Sequence, residues 1–211
     1  MKRVVRMETL ENTAIPEIFK ERTWTKLLNS SGNVYVELIR EFFANATIDG
    51  DHINGWVRQK EFIITSDSIQ EFLEVRPPSQ LIFVHYDDKL DFLEPMAKLL
   101  GGSLKKKSMN TISFNAEMRT LAYVMIHNLY PETNLTTLSE PRTIFLYDLY
   151  THKEIDICGH IYHLLTKSIT KRNSRTIMPL PSLITGLIAK TRMKIQAVLP
   201  LCQKTIALVL T

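Results

Sequence analysis

His160, His163, Lys167 and Lys171 follow one another at spacings of three, four and four residues, which on a helix sets all four side chains along one face. Such a stripe of imidazole and ammonium groups could hold the phosphates of a nucleic acid through its backbone. Lys105, Lys106 and Lys107 precede it in the chain, and Arg172 and Arg175 follow it. The competing meaning is a solvated helix face, the ordinary use of charged residues on an amphipathic helix. The string Cys158-Gly-His160-Ile-Tyr-His163 also contains three potential metal ligands. Helical geometry turns Cys158 away from the two histidines, and no further ligand pair follows at zinc-site spacing, so no metal is expected.

Catalytic chemistry has less to stand on. His85-Tyr86-Asp87-Asp88 has adjacent aspartates like those that hold two magnesium ions in polymerases, but its aromatic residue adjoins the acids, and a helix N-terminus uses them more simply. There is no Gly-x-x-x-x-Gly-Lys-Ser/Thr, Gly-x-Gly-x-x-Gly, His-Glu-x-x-His or Gly-x-Ser-x-Gly string. No catalytic residue, cofactor or small-molecule substrate is therefore expected. Residues 1–100 hold 12 Lys+Arg against 16 Asp+Glu, and the remainder 14 against 6, so the halves carry −4 and +8. No acidic residue follows Asp156, and this one-signed stretch could attract polyanions unless the acidic half docks on it. The aromatics Trp24, Phe42, Phe43, Trp56, Phe62 and Phe72 fall in the acidic half, where core packing is their expected role; a single-strand binder would interleave them with the basic residues.

The elements that must position these groups can be read from periodicity. Tyr35, Leu38, Ile39, Phe42 and Ala46 make an amphipathic helix, preceded by another over 15–28 that offers Ile18, Trp24, Leu27 and Leu28. Residues 56–65 have apolar ends around Gln59-Lys60 and predict a hairpin turning there, the only sheet expected. Ser68 and Glu71 have capping-box spacing, with Pro77-Pro78 as a stop. A helix is expected over 87–100, and Gly101 to Ser108 predicts a loop between lobes. Further helices run from Met118 to Leu129, from a Ser139 cap to about Tyr150, from an Asp156 cap, and from Pro181 with Ser182 as cap. A packed strap or a weak final helix is expected from Val198 onward.

The expected fold is mainly α: about seven to eight helices in two packed lobes, with one small β-hairpin near residues 56–65. An acidic lobe would span 1–100 and a basic lobe 101–211, within one continuous domain over about 15–190. Two cysteines make no disulfide framework, the N-terminus lacks the apolar core of a secretory signal, and the uncharged stretch Thr205 to Thr211 near the C-terminus is far shorter than the ~20 residues that span a bilayer. A nuclear or cytoplasmic protein with no membrane contact is expected.

Several strings, in order, resemble the plant putative transposon protein domain family. Trp24 and Arg40-Glu41-Phe42-Phe43-Ala44-Asn45 are similar to its Trp and its Arg-Glu-Phe-Tyr-Ala-Asn, and Val57-Arg58 to its Val-Arg-Gly hairpin. Leu129-Tyr130-Pro131, Arg142 to Tyr147, and Ile155 to Ile161 resemble its later helices, and Pro181-Ser182-Leu183-Ile184-Thr185 resembles its Pro-Ser-Leu-Ile-Thr. Gln59 stands where the family has Gly, and Leu180 where it has Phe. The resemblance implies a transposon-derived, mainly helical domain without established activity, so it carries over no catalytic residues. Partnership with itself or another protein is the first expectation, and binding of nucleic acid the alternative.

Overall fold

The apolar stripe from Ile15 to Leu28 folds as two helices, because Thr23 adopts a left-handed conformation (φ 58°) that no α-helix can pass through. The computed structural model describes residues 7–29, 34–79, 93–101, 103–105, 108–131, 134–171 and 178–190. In chain order, a 3-10 turn (Met7–Leu10) precedes α1 (Ile15–Glu21), α2 (Thr25–Asn29) and α3 (Val36–Asn45). Strands β1 (Thr47–Asp49), β2 (His52–Val57) and β3 (Lys60–Ile64) follow, then α4 (Ser66–Leu73) and α5 (Leu93–Leu99). The rest comprises β4 (Ser103–Lys105), β5 (Ser108–Asn110), a 3-10 turn (Thr111–Ser113), α6 (Ala116–Asn128), β6 (Thr137–Ser139), α7 (Glu140–Tyr150), α8 (Ile157–Thr170) and α9 (Pro181–Lys190). The fold is mainly helical, with nine α-helices among the described residues and two small antiparallel sheets.

Contacts divide the chain into two units, each drawing on both halves of the sequence. One joins residues 25–76 to the chain from Ile157 onward; the other joins residues 5–24 to 77–156. They do not follow the sequential division at residue 100. In the first unit, α3 packs on β2 and α9, and α8 packs on α4 and β1. Its core holds Leu38, Ile39, Phe42, Phe43, Ile53, Phe62, Ile64, Ile69, Ile161 and Leu165, all buried. At roughly 1.5–3 kcal/mol for each large apolar side chain fully buried, these positions supply most of what holds the unit together. In the second unit α5 packs on α7 and β4, and α7 also packs on α6, β5 and β6.

The expected hairpin is present, but its turn is Arg58-Gln59, one residue earlier than expected, and a third strand extends it in the order β1-β2-β3. Both turn residues have positive φ (52° and 62°), as a two-residue turn matching the strand twist requires. The hairpin is also not the only sheet: β4, β5 and β6 form a second, with β4 inside the 101–108 stretch expected to be a loop and β5 beginning at its last residue. These strands are three residues long and pair Met109 with Leu138, too short and too distant in sequence for a period-two pattern to show.

Caps shift as well. Thr65, rather than a residue at 66–68, is the N-cap of α4: its Oγ1 accepts from the Ser68 N–H at 3.0 Å while Ser68 Oγ accepts from the Thr65 N–H at 2.9 Å. Ser139 stands at the N-cap of α7 as expected, yet its hydroxyl accepts from Arg142 Nη1 at 2.9 Å instead of from the helix backbone. Ser182 lies inside α9 and is buried. The expected helix over 87–100 is described only as α5; its start, the His85 to Asp88 string and the strap after Val198 lie outside the described residues.

Candidate functional site

The 14 residues of α8 bury Ile157, Cys158, His160, Ile161, Leu164, Leu165 and Ile169. His160 is only 1% exposed, so it belongs to the core and cannot reach a phosphate; this corrects the four-residue surface stripe. On a helix of 3.6 residues per turn it lies about 40° from Leu164, a proximity that the sequence itself carried. His163 and Lys167 are half-buried and Lys171 is exposed. Lys105 belongs to β4 in the other unit, while Lys106, Lys107, Arg172 and Arg175 lie outside the described residues. The described basic candidates therefore reduce, on α8 and its end, to His163, Lys167 and Lys171.

Helix α4 offers a different electrostatic setting. Asp67, Gln70, Glu71, Glu74 and Val75 line an open groove of about 610 Å³. Lys190 Nζ, arriving from α9, lies 2.7 Å from Glu71 Oε1, and Lys26 Nζ lies 2.7 Å from Glu74 Oε1. The Lys26 hydrogen bond and charge hold the Glu74 carboxyl below the usual carboxylate range. Two of the three carboxylates thus already meet ammonium groups. Among the described residues, no group of three or more His, Cys, Asp or Glu is placed to hold a metal ion. Nor is any helix among them long and apolar enough to cross a membrane.

The most constructed surface is the β1-β2-β3 sheet, which α3 holds from behind. Glu41 Oε1 accepts the Arg58 backbone N–H at 2.7 Å and Oε2 stands 3.6 Å from Arg58 Nε, so one carboxylate grips the strained turn. Asn45 Nδ2 donates to the Trp56 carbonyl at 3.5 Å. Phe42 fills the space over Gly55 and packs on Phe62, with ring centroids 5.3 Å apart. Only glycine fits at residue 55, since a Cβ would stand 2.8 Å from the Phe42 ring.

Strand alternation then decides what faces outward. The register pairs Thr47 with Asn54, Asp49 with His52, Asn54 with Ile63 and Trp56 with Glu61, while Ile53, Gly55, Val57, Phe62 and Ile64 point inward and are buried. Trp56 is 48% and Ile63 53% exposed, on diagonally adjacent positions of the outer face. Behind the rim, burial pushes the Tyr162 phenol pKa up, and the charge of Asp51 adds to the shift. Trp56, expected in the core, faces outward instead, because the strand parity that turns it outward depends on where the hairpin turns.

A family model described as "Putative plant retrotransposon-related domain" matches residues 20–193. The chain belongs to this retrotransposon-related domain family. No curated protein and no solved structure matches it. The strings that resemble the family pattern do structural work in this member. Arg40 to Asn45 supply the hairpin grip. Arg142 binds the end of α6, donating to the Pro131 carbonyl at 2.6 Å with its guanidinium 4.4 Å from the Tyr130 ring centroid. Pro181 to Thr185 are all buried in α9. Gln59, at the family's glycine position, keeps the left-handed conformation glycine would adopt freely.

Proposed function

We propose that this retrotransposon-related domain serves as a protein-interaction and assembly domain, without catalysis of its own, in a plant retroelement-derived protein. One observation carries the reading: Trp56 and Ile63 stand exposed on the outer face of a sheet that Glu41, Phe42 and Asn45 brace from behind. A rigid sheet presenting a tryptophan and an isoleucine to water offers contact area at little ordering cost, the property that makes aromatic residues frequent at interfaces. Sedimentation velocity over a rising concentration series tests it. Self-association is expected for the native chain and should be lost in the Trp56→Thr/Ile63→Thr variant; a chain that sediments as a monomer throughout refutes the reading.

The acid-free stretch after Asp156 favours a second reading, attachment to a nucleic-acid backbone. The burial of His160 and the engagement of Lys190 with Glu71 reduce the charge available to it. Titration of duplex and single-stranded DNA decides it: binding that weakens steeply with salt and on changing Lys167, Lys171 and Arg172 to Glu supports this reading, and flat titrations at low salt reject it.

A further inference from the structure

The free edge of β3 follows from the hairpin turn. Two turn residues of positive φ make Val57 and Lys60 the hydrogen-bonded pair beside them, and bonded pairs alternate with non-bonded ones along an antiparallel ladder. Gly55 with Phe62 and Ile53 with Ile64 are therefore bonded, and Glu61 and Ile63 turn their backbone N–H and C=O groups away from β2. Among the described residues, β3 ends its sheet and nothing bonds to those groups. A row of unpaired donors and acceptors is a template for another extended chain. Proline and bulges, which blunt such edges elsewhere, are absent: β3 runs five residues in unbroken register. The other edge strands described, β1, β4 and β6, have three residues each.

This edge complements itself. We infer that a second copy of the chain is the partner, joined antiparallel through β3 about a two-fold axis so that the two sheets become one. With Phe62 facing Phe62 across the axis, Glu61 of each copy pairs with Ile63 of the other, and every outward backbone group of both residues is bonded. Slipping the register one way sets Glu61 against Glu61. The other way calls on the Thr65 N–H, already bonded to Ser68 Oγ at 2.9 Å. Charge agrees with the central register, which carries Lys60 to the end of the other copy's β3, beside the first turn of α4, where Asp67 stands. Lys60 and Asp67 are both exposed and, among the described residues, neither has an ion-pair partner. Two-fold symmetry supplies the pair twice. On the outer face, Ile63 of each copy joins the row that holds Glu61 and Trp56 of the other, so the apolar patch continues across the seam.

The inference rests on the assembly role proposed above and gives it a partner and a mode. Sedimentation velocity and amide hydrogen exchange of the full chain, over a rising concentration series, test it. The chain should form a dimer and stop there, since a two-fold contact leaves neither copy an open β3. The amides of Glu61 and Ile63 should exchange more slowly as the dimer forms. Glu61→Pro keeps Trp56 and Ile63 but removes an N–H that bonds to nothing within one copy, a place where edge strands tolerate proline. It should weaken dimerisation roughly tenfold or more, because half of the seam's backbone bonds go with it. Lys60→Glu and Asp67→Lys should each weaken it too, and an equimolar mixture of those two variants should restore it, since both cross-copy pairs are then of opposite sign. Exchange at Glu61 and Ile63 that does not slow on association overturns edge pairing while leaving assembly in place. So does a mixture that associates no more tightly than either charge variant alone, or full association of a folded Glu61→Pro chain. A native chain that stays monomeric overturns both.

Discussion

Replacing Gly55 by alanine tests the packing that orients the sheet face. The added Cβ would stand 2.8 Å from Cδ2 and Cε2 of Phe42 and 3.0 Å from Cζ of Phe62, where carbon atoms rest at about 3.5–4.0 Å. Neither ring can swing clear easily: Phe42 is fully buried and also packs edge-on against Phe43 with centroids 5.0 Å apart, and Phe62 is buried. Overpacking of this kind costs about 1–3 kcal/mol, against a gain of about 0.5–1 kcal/mol for alanine over glycine in a strand. The balance is a loss of roughly 1–2 kcal/mol, which for a chain of this size lowers Tm by about 2–8 °C. Urea and thermal unfolding followed by circular dichroism measure it. Adding Phe42→Leu should return part of the loss, with a coupling energy above about 0.5 kcal/mol. A Gly55→Ala chain as stable as the native one, or more stable, would refute the claim that Phe42 sets the height of the hairpin.

Gln59→Gly should stabilise the chain by about 0.5–1 kcal/mol in urea unfolding, because an L-residue in the left-handed region costs about 1–2 kcal/mol and glycine's greater chain entropy returns only part of that. Arg142→Met retains the aliphatic stem but loses the bonds to the Pro131 carbonyl and Ser139 Oγ and the contact over Tyr130, a destabilisation of about 2–3 kcal/mol; Arg142→Lys should recover little of it, since a point charge cannot reproduce the fork. Glu154 accepts from both the hydroxyl and the backbone N–H of Ser79, which holds its carboxyl below the usual carboxylate range. A carboxyl lowered in the folded state stabilises above the ordinary carboxylate pKa, and that contribution disappears as the pH falls through the lowered value. In an NMR pH titration Ser79→Ala should therefore move the Glu154 midpoint upward; an unmoved midpoint assigns the shift to another cause.

The helices were legible where one apolar face recurs every 3.6 residues. Leu38, Ile39 and Phe42 mark α3, Leu121 and Met125 mark α6, and Leu164 and Leu165 mark α8 without reference to any partner. Thr23 was not legible as a break, because threonine carries no local signal for positive φ. The hairpin turn was misplaced for the same reason: Arg58-Gln59 lacks Gly and Asn, and what holds it is Glu41, 17 residues away and on another element. The second sheet rests wholly on pairing between distant three-residue strands. Of the basic stripe, the helix was legible, and the helical spacing that sets His160 on the Leu164 side of the wheel accounts for its burial. The outward face of Trp56 followed from the register and from nothing in composition.

The interleaving of the two units imposes an order on synthesis. Residues 25–76 leave the ribosome with Phe42, Phe62 and Ile69 ready to pack, yet α8 and α9, which complete that unit, are encoded beyond residue 156. At translation speeds of about 5–20 residues per second, the half-built unit waits on the order of 5–20 s while the intervening segment is made. Throughout that interval its apolar surface is open to wrong partners. Fragments cut at a sequential midpoint would make the wait permanent, so expression of the halves as separate polypeptides should yield aggregates, and co-expression of residues 25–76 with the chain from Ile157 onward, or a direct fusion of those two segments, is the route to an isolated unit.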